Sequence, residues 1–203
     1  NYAFLNCTKL TEADIPGKLL IQEGAFFECT SLKKFDFSNV SSIGKIAFYH
    51  CSSLESIVLP ENVTAIGNSA FQGCNGVTSL NIPGTVKSIG EEAFCSCEKL
   101  KELVVNEGVS SIGKQAFAGC KSLETITLPK SAALGENIFT DYRPIKTIRY
   151  TGTREEWVAA GLNQNNFYNA TVYYEYTADH KHTFVTYTYT YTNSCTEPGE
   201  RVT

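Results

Sequence analysis

The sequence predicts an α/β solenoid, in which short coils of chain stack into an elongated array along one parallel β-sheet. Three observations predict it. A pattern of apolar residues recurs every 22 or 23 residues along most of the 203-residue chain. Within each interval the apolar spacing changes from that of a short helical turn to the alternation of a β-strand. One interval cannot bury its own apolar face, so neighbouring intervals must stack.

The repeated unit reads Ala-Phe-x-x-Cys-x-x-Leu-x-x-Ile-x-Leu-Pro-x-x-Val-x-x-Ile-Gly-x-x. Its first part has the spacing of one face of a short helical turn, as in Ala93, Phe94, Cys97 and Leu100. Its second part alternates apolar and polar residues like a half-buried strand, as in Leu103 and Val105. Stacking places these strands in a parallel ladder, roughly 4.8 Å apart, over about seven coils.

The motif Gly-x-x-Ala-Phe-x-x-Cys-x-x-Leu stands intact at residues 90–100 and 113–123, and at 67–77 with valine in the last position. In this motif the chain resembles the BspA-like subfamily of leucine-rich repeats, over about residues 1–175. The resemblance implies a right-handed leucine-rich repeat solenoid on a bacterial or protist cell surface, used for adhesion or protein binding. No catalytic residue comes with that family, so the resemblance implies none here.

The first copy of the repeat is irregular, because residues 16–22 replace the usual Val-x-x-Ile-Gly. Later copies each carry one phenylalanine at the same position. We expect these rings to stack as a buried spine, since tyrosine or tryptophan there would bring a polar group that needs a partner. An aromatic stripe that binds a ligand is the alternative. The phenylalanines are Phe26, Phe48, Phe71, Phe94 and Phe117.

Six of the eight cysteines occupy one repeat position, where we expect a ladder of buried, reduced thiols. Disulfides between stacked neighbours are the alternative, but pairing would distort a uniform ladder. A zinc site lacks both a Cys-x-x-Cys pair and a histidine in the ladder. Cys95 stands at a different position, which we expect to face outward, and it is a candidate reactive thiol. The ladder cysteines are Cys7, Cys29, Cys51, Cys74, Cys97 and Cys120.

A glycine closes four of the copies, and we expect each to supply the positive φ of a return turn. These glycines are Gly44, Gly67, Gly90 and Gly113.

The end of the array is predicted to be capped. Thr153 and Glu156 form a capping-box pattern and Gly161 is a helix-ending glycine, so a short helix is expected at about 154–160. Trp157, the only tryptophan, should lie over the last coil. In the resembled family this pattern closes the array, and residues 170–176 look like the strand that follows. A cap is needed because an exposed sheet edge would promote aggregation.

The predicted domains are a solenoid with its C-terminal cap at 1–176 and a Thr/Tyr-rich, β-forming tail at 177–203. The tail is similar to the opening of a small module that follows such repeats in some surface proteins. A metal role for His180 and His182 with Cys195 is an alternative there. Because the sequence opens inside a repeat and contains no methionine, we expect a piece of a longer protein.

The net charge of −4 argues against nucleic acid and against an anionic membrane surface as partners. No run of 18 apolar residues occurs that could form a transmembrane helix. We expect a monomer without a cofactor or metal.

The candidate partner-binding site is formed by strand residues that point outward, because stacked repeats commonly bind partners on such a surface. A merely solvated surface is the alternative. One column is Glu12, Lys34, Ser56, Ser79, Glu102, Thr125 and Thr147. The next column is Asp14, Asp36, Val58, Asn81, Val104, Thr127 and Arg149.

Asp14 and Asp36 should be neighbours in their column, near the separation of the two carboxylates of a retaining glycosidase. The repeat itself sets that spacing, Lys34 lies beside them and no insertion forms a pocket. Catalysis is therefore not indicated, and two ligands are too few for calcium.

These observations predict a non-catalytic module, extracellular at a cell surface or secreted. Its expected partner is a protein or glycan on a host or neighbouring cell. There are two alternatives: a structural spacer that presents another domain, and an accessory domain of a larger surface enzyme.

Overall fold

A computed structural model describes residues 1–140, 145–162, 167 and 170–176. It is a parallel β-solenoid of about seven turns with coils of about 23 residues, which confirms the predicted fold class. The predicted tail at 177–203 lies outside the described residues.

The strands that follow the conserved leucine position of each coil form the front sheet. Five of them pair in the order β13-β12-β10-β8-β6, and β1 pairs separately with β3. The strands are β1 (Glu12–Ala13), β3 (Lys34–Phe35), β6 (Ser79–Ile82), β8 (Glu102–Val105), β10 (Thr125–Leu128), β12 (Thr147–Tyr150) and β13 (Thr171–Tyr173).

A second parallel sheet, the return sheet, lies on the other side of the coils, where a single sheet was expected. Its six strands pair in the order β11-β9-β7-β5-β4-β2. The Val-x-x-Ile segments form it, because stacking brings every extended segment of a coil beside its copies. The strands are β2 (Leu19–Ile21), β4 (Val40–Ile43), β5 (Ala65–Ile66), β7 (Ser88–Ile89), β9 (Ser111–Ile112) and β11 (Ala133–Leu134).

The front sheet is interrupted at the third coil. Among the described residues, 56–59 form no ladder with β3, and a single isolated bridge joins Val58 to Asn81 of β6. The return sheet continues past this point, because β2, β4, β5 and β7 are paired in succession.

Two phenylalanines of the second coil explain the interruption. Phe35 and Phe37 stand where the third and fourth coils have Ile57, Leu59, Leu80 and Ile82. The ring centroid of Phe35 lies 5.0 Å from that of Phe48 in the next coil. The ring of Phe37 reaches Phe71, two coils away, at 6.0 Å. Rings of this size fill more volume than the aliphatic side chains, so the second and third front strands do not close into a ladder.

The Ala-Phe segments are hydrogen-bonded turns, where helical turns were expected. Alternate amides of each turn donate to carbonyls of the next coil, as in Ile46 N to Asn68 O (2.9 Å), Phe48 N to Ala70 O (2.7 Å) and His50 N to Gln72 O (2.7 Å). These bonds are the turn ladder, a third set of backbone contacts between coils.

The turn ladder requires two residues of positive φ in each coil. In the first six coils one precedes the alanine, at Tyr2, Gly24, Ile46, Ser69, Glu92 and Gln115, and the other precedes the cysteine, at Asn6, Glu28, His50, Gly73, Ser96 and Gly119. In the seventh coil Asn137, before Ile138, has the first of them.

The phenylalanine spine is confirmed, and it extends to Phe4 and Phe139. Successive ring centroids from Phe4 to Phe117 lie 5.0–5.4 Å apart, with interplanar angles of 8° or less. The last step, from Phe117 to Phe139, widens to 5.9 Å and 25°. The five central rings are at most 1% exposed, so the spine forms the middle of one continuous core.

The expected positive φ at the coil-closing glycines is wrong. Gly44, Gly67, Gly90 and Gly113 are absent from the positive-φ residues. Their role is close stacking: a Cβ on Gly67 would lie 2.5 Å from the backbone of Gly44 and Lys45. Any side chain at this position would push two coils apart.

The predicted cap is confirmed. Helix α1 (Arg154–Ala159) begins with a capping box between Thr153 and Glu156, and Gly161 follows it with a φ of 72°. Trp157 is 3% exposed and packs edge-on against Tyr150 of the last front strand at 5.1 Å. Strand β13 adds to β12 in parallel register beyond the last coil.

Candidate partner-binding face

The two predicted outward columns lie on the front sheet, and this surface is the front face. Strand register aligns the columns directly, since Ser79 pairs with Glu102 and Asn81 with Val104. At the first two coils Glu12 pairs with Lys34. The structure therefore aligns each column within the paired strands, with a gap between the second and third coils, while the role of these residues in binding stays a prediction.

The front face is most exposed over its first four coils. Both columns are exposed from Glu12 and Asp14 to Ser79 and Asn81. Val58 is 73% exposed, the largest value among the exposed large hydrophobic side chains of the described residues.

The outward expectation does not hold for Thr127, which is only 7% exposed. Arg149 explains this burial. Its guanidinium lies 3.8 Å from the carboxylate of Glu102, two strands away, so its side chain must cross β10, where Thr127 lies. The same guanidinium lies 5.5 Å from the ring centre of Tyr176. The last coils of the front face are thus covered by their own side chains.

Opposite charges pair along the front face. The Lys34 amine lies 3.5 Å from the carboxylate of Glu12, and both side chains are about two-thirds exposed (70% and 67%). At the other end, Arg149 pairs with Glu102 as described. Exposed pairs of this kind contribute little to stability, on the order of 0–1 kcal/mol.

Asp36 accepts hydrogen bonds from the backbone N–H and the hydroxyl of Ser38, both at 2.9 Å. The backbone N–H is the stronger influence, and together the two bonds lower the pKa of the Asp36 carboxyl below its ordinary value. Asp36 is therefore a fixed negative charge at neutral pH. Among the described residues no three His, Cys, Asp or Glu side chains converge to hold a metal ion.

The cysteine ladder is confirmed as free thiols in the interior. Five members are buried, while Cys7 in the first coil is half-buried. Each buried thiol donates to the carbonyl of the phenylalanine of the preceding coil, from Cys29 to Phe4 at 3.0 Å to Cys120 to Phe94 at 3.4 Å. The cysteines are therefore hydrogen-bond donors as well as small apolar side chains, which the sequence pattern did not reveal.

Burial raises the pKa of the ladder thiols, because a thiolate would be desolvated there. The pKa of Cys120 rises to about 12, and those of Cys74 and Cys97 rise well above the ordinary value. Such thiols are protonated and unreactive at neutral pH. Cys95 is half-buried, with its sulfur 3.6 Å from the hydroxyl of Ser96, so the outward prediction is only partly met.

The turn side carries partly exposed apolar residues that the sequence reasoning missed. Phe27 and Tyr49 stack at 4.9 Å with an interplanar angle of 6°, and Tyr49 contacts His50 at 4.4 Å. Leu5 in the same column is 46% exposed. The signal was present, because these residues share the repeat position of Cys95.

No helix among the described residues is long and apolar enough to span a membrane.

A known family of proteins matches this chain over its whole repeat region. The family model described as BspA type leucine rich repeat region matches in six copies, over residues 1–78 and 64–195. No curated protein sequence matches the chain.

Two solved structures share the fold. A T. pallidum leucine-rich repeat protein, TpLRR, is 24% identical with a TM-score of 0.56, over 70% of this chain and 73% of that one. The pneumococcal vaccine antigen PcpA is 21% identical with a TM-score of 0.55, over 78% of this chain and 39% of that one.

Proposed function

Since the chain belongs to the family of BspA type leucine-rich repeat regions, we propose that it is a non-catalytic binding module. It acts outside the cell, at the surface or secreted, and engages a protein or glycan on a host or neighbouring cell. The front face is its binding surface. The family supports protein binding and adhesion at this coarse level, and the assignment of ligand class and surface is our proposal.

The observation that carries the proposal is the shape and chemistry of the front face. It is a shallow surface built on parallel strands, and its exposed part presents hydroxyl, amide and carboxylate groups from successive coils. A small substrate is usually held in a concave, largely apolar pocket. A macromolecule can instead distribute its contacts over several coils.

The rigid core supports this role. The spine, the thiol ladder and the backbone ladders fix the positions of the outward side chains before any partner arrives. A preorganised surface loses less conformational entropy on binding than a flexible one.

The proposal is tested by charge reversal on an array of purified extracellular-matrix proteins and cell-surface glycans. Asp14→Lys with Asp36→Lys should weaken a bound array member by about tenfold at low salt and less at high salt. The matched control is Glu61→Lys with Glu91→Lys, two exposed carboxylates off the front face, which should retain binding.

The binding site would lie in the tail if the Asp14/Asp36 variant kept its affinity while changes at the tail residues Tyr187, Tyr189 and Tyr191 abolished binding. Those tyrosines lie outside the described residues. A chain that binds no member of the array would favour the role of a structural spacer.

A further inference from the structure

Val58 is an apolar side chain at the centre of an otherwise polar surface. It lies in the column of Asp14, Asp36 and Asn81 and is 73% exposed. Val104 occupies the same repeat position two coils later and is half-buried, with β6 on one side and β10 on the other. Val58 has a bridge on one side only.

Val58 lies at the edge of the interruption in the front sheet. The large rings of Phe35 and Phe37 keep the second coil from forming a ladder with the third, so the side chain of Val58 has no paired neighbour toward the second coil. Val58 is thus an exposed apolar side chain that lies beside the ends of the front strands of the first two coils. An apolar side chain from another molecule can lie beside Val58 and remove it from water.

The charges around Val58 are unbalanced. The two columns contain six charged residues, and four of them form the pairs Glu12–Lys34 and Glu102–Arg149. The remaining two are Asp14 and Asp36, both exposed and without an ion pair among the described residues. The flanking Lys33 and Glu55 carry opposite charges and add no net charge. The first three coils of the front face therefore carry a net charge of about −2 beside Val58.

We propose that this part of the front face, the Val58 patch (Asp14, Asp36 and Val58), docks an extended protein segment that carries basic residues and an apolar residue on one side. The proposal rests on the front face being the binding surface. Basic side chains complement the two carboxylates, and the Asp36 carboxylate is exposed while it accepts two hydrogen bonds from Ser38. The apolar residue covers Val58.

A protein segment fits the patch better than a glycan. Sugar rings bind to the faces of aromatic side chains and to dense hydrogen-bonding groups, whereas neither column contains an aromatic residue. An extended segment places every second side chain on one side, at intervals of about 6.7 Å. Adjacent coils are roughly 4.8 Å apart, so flexible lysine side chains can reach both carboxylates while a third residue contacts Val58.

The test uses the peptide Lys-Ser-Lys-Ser-Val, acetylated and amidated, added to the full chain labelled with nitrogen-15. The acidic peptide Glu-Ser-Glu-Ser-Val and the apolar-free peptide Lys-Ser-Lys-Ser-Ser are the peptide controls, and cellohexaose is the glycan control. Amide chemical shifts locate the contact and their titration gives the affinity. The largest shifts are expected at the first three coils of the front face with the Lys-Ser-Lys-Ser-Val peptide. The Lys-Ser-Lys-Ser-Ser peptide should bind about fivefold more weakly, and the acidic peptide and cellohexaose should cause no shifts there.

Variants then separate the apolar and ionic contributions. Val58→Ser should lower the affinity about fivefold, since it removes the buried aliphatic contact. Val158→Ser, on the exposed side of helix α1 and 56% exposed, is the matched control and should leave the affinity unchanged. Asp14→Asn with Asp36→Asn should lower the affinity about fivefold in dilute buffer and little at 0.5 M salt.

Other outcomes overturn the proposal. Shifts confined to coils four to seven of the front face would refute the Val58 patch while leaving the front face as the binding surface. Shifts on the turn side or the return sheet would refute both. Shifts with cellohexaose but not with the peptide, or none with the peptide, would refute the chemistry of the partner.

Discussion

Individual residues in the turns adopt backbone conformations that their side chains disfavour. Among the residues that the structure describes, eleven that are not glycine have positive φ, and Ile46 is the one of them with a β-branched side chain, at 49°. The left-handed region costs such residues roughly 1–2 kcal/mol. The turn ladder offsets this cost, because the amide of Ile46 and its neighbours donate across to the next coil.

Replacing Ile46 with asparagine should therefore stabilise the protein by about 1 kcal/mol, since asparagine tolerates this region better. Equilibrium denaturation measures the change. Lys45→Asn, one residue earlier and without positive φ, is the control and should be neutral. Destabilisation by Ile46→Asn with a neutral Lys45→Asn control would contradict the prediction, because the packing of Ile46 would then outweigh its backbone strain.

Because the ladder thiols are buried, the free energy of unfolding should decrease at alkaline pH. The ordinary thiol pKa is 9.0 and that of folded Cys120 is about 12, so between these values the unfolded chain loses a proton that the folded one keeps. The contribution of the Cys120 thiol to the free energy of unfolding is fully present below pH 9. It declines as the pH rises toward 12, by up to about 1.4 kcal/mol per pH unit. Denaturation at pH 8 to 10.5 should show a shallower decline in Cys120→Ala than in the wild type. Parallel curves would contradict the burial.

Among the structural elements, the coil-closing glycines show what sequence reasoning can and cannot reach. Their recurrence predicted a turn, because glycine is typical where φ is positive. The structure places positive φ at Ser69 and Glu92 instead, and uses Gly67 and Gly90 for backbone contact between coils. A single sequence cannot separate these roles, since both demand the absence of a side chain.

Gly67→Ala should therefore destabilise the protein by about 3 kcal/mol through overpacking. Gly17→Ala is the control, because it also adds a methyl group but meets nothing within 4 Å. Because Gly17 has a positive φ, the backbone strain of an alanine there should destabilise the protein by roughly 1–2 kcal/mol. Equal effects of the two variants would refute the close-approach role.

The phenylalanine spine was predictable from spacing alone, since one ring recurs at the same position of each copy of the repeat. Phe94→Ala should cost about 3–5 kcal/mol, because neighbouring coils cannot collapse into the cavity. Thermal denaturation of this variant measures the loss. Phe27→Ala, on the partly exposed turn side, should cost clearly less.

At the scale of the whole molecule, the period of the repeat predicted which residues share a column of the front face. It did not predict the interruption of the front sheet. A repeat template treats Phe35 and Ile57 as equivalent apolar residues, whereas their volumes decide whether adjacent strands can pair. The return sheet was missed for a related reason: neighbouring coils pair at only one to three residues in this sheet, which leaves almost no alternation to detect.

The interruption should be visible in hydrogen exchange. Amides of residues 56–59 lack the ladder that protects β6 and β8, so they should exchange faster than those of Leu80 and Leu103. Mass spectrometry or NMR of the native protein measures this. Equal protection along the front sheet would contradict the described gap.

The turn ladder, like both sheets, runs along the stacking direction, which has a mechanical consequence. Tension applied between the two ends loads the hydrogen bonds of one coil boundary at a time, so coils should detach one after another. Each detached coil of about 23 residues releases roughly 75–80 Å of extended chain. Under steady pulling, such an array would lengthen in steps and limit the peak force on whatever is attached to its two ends.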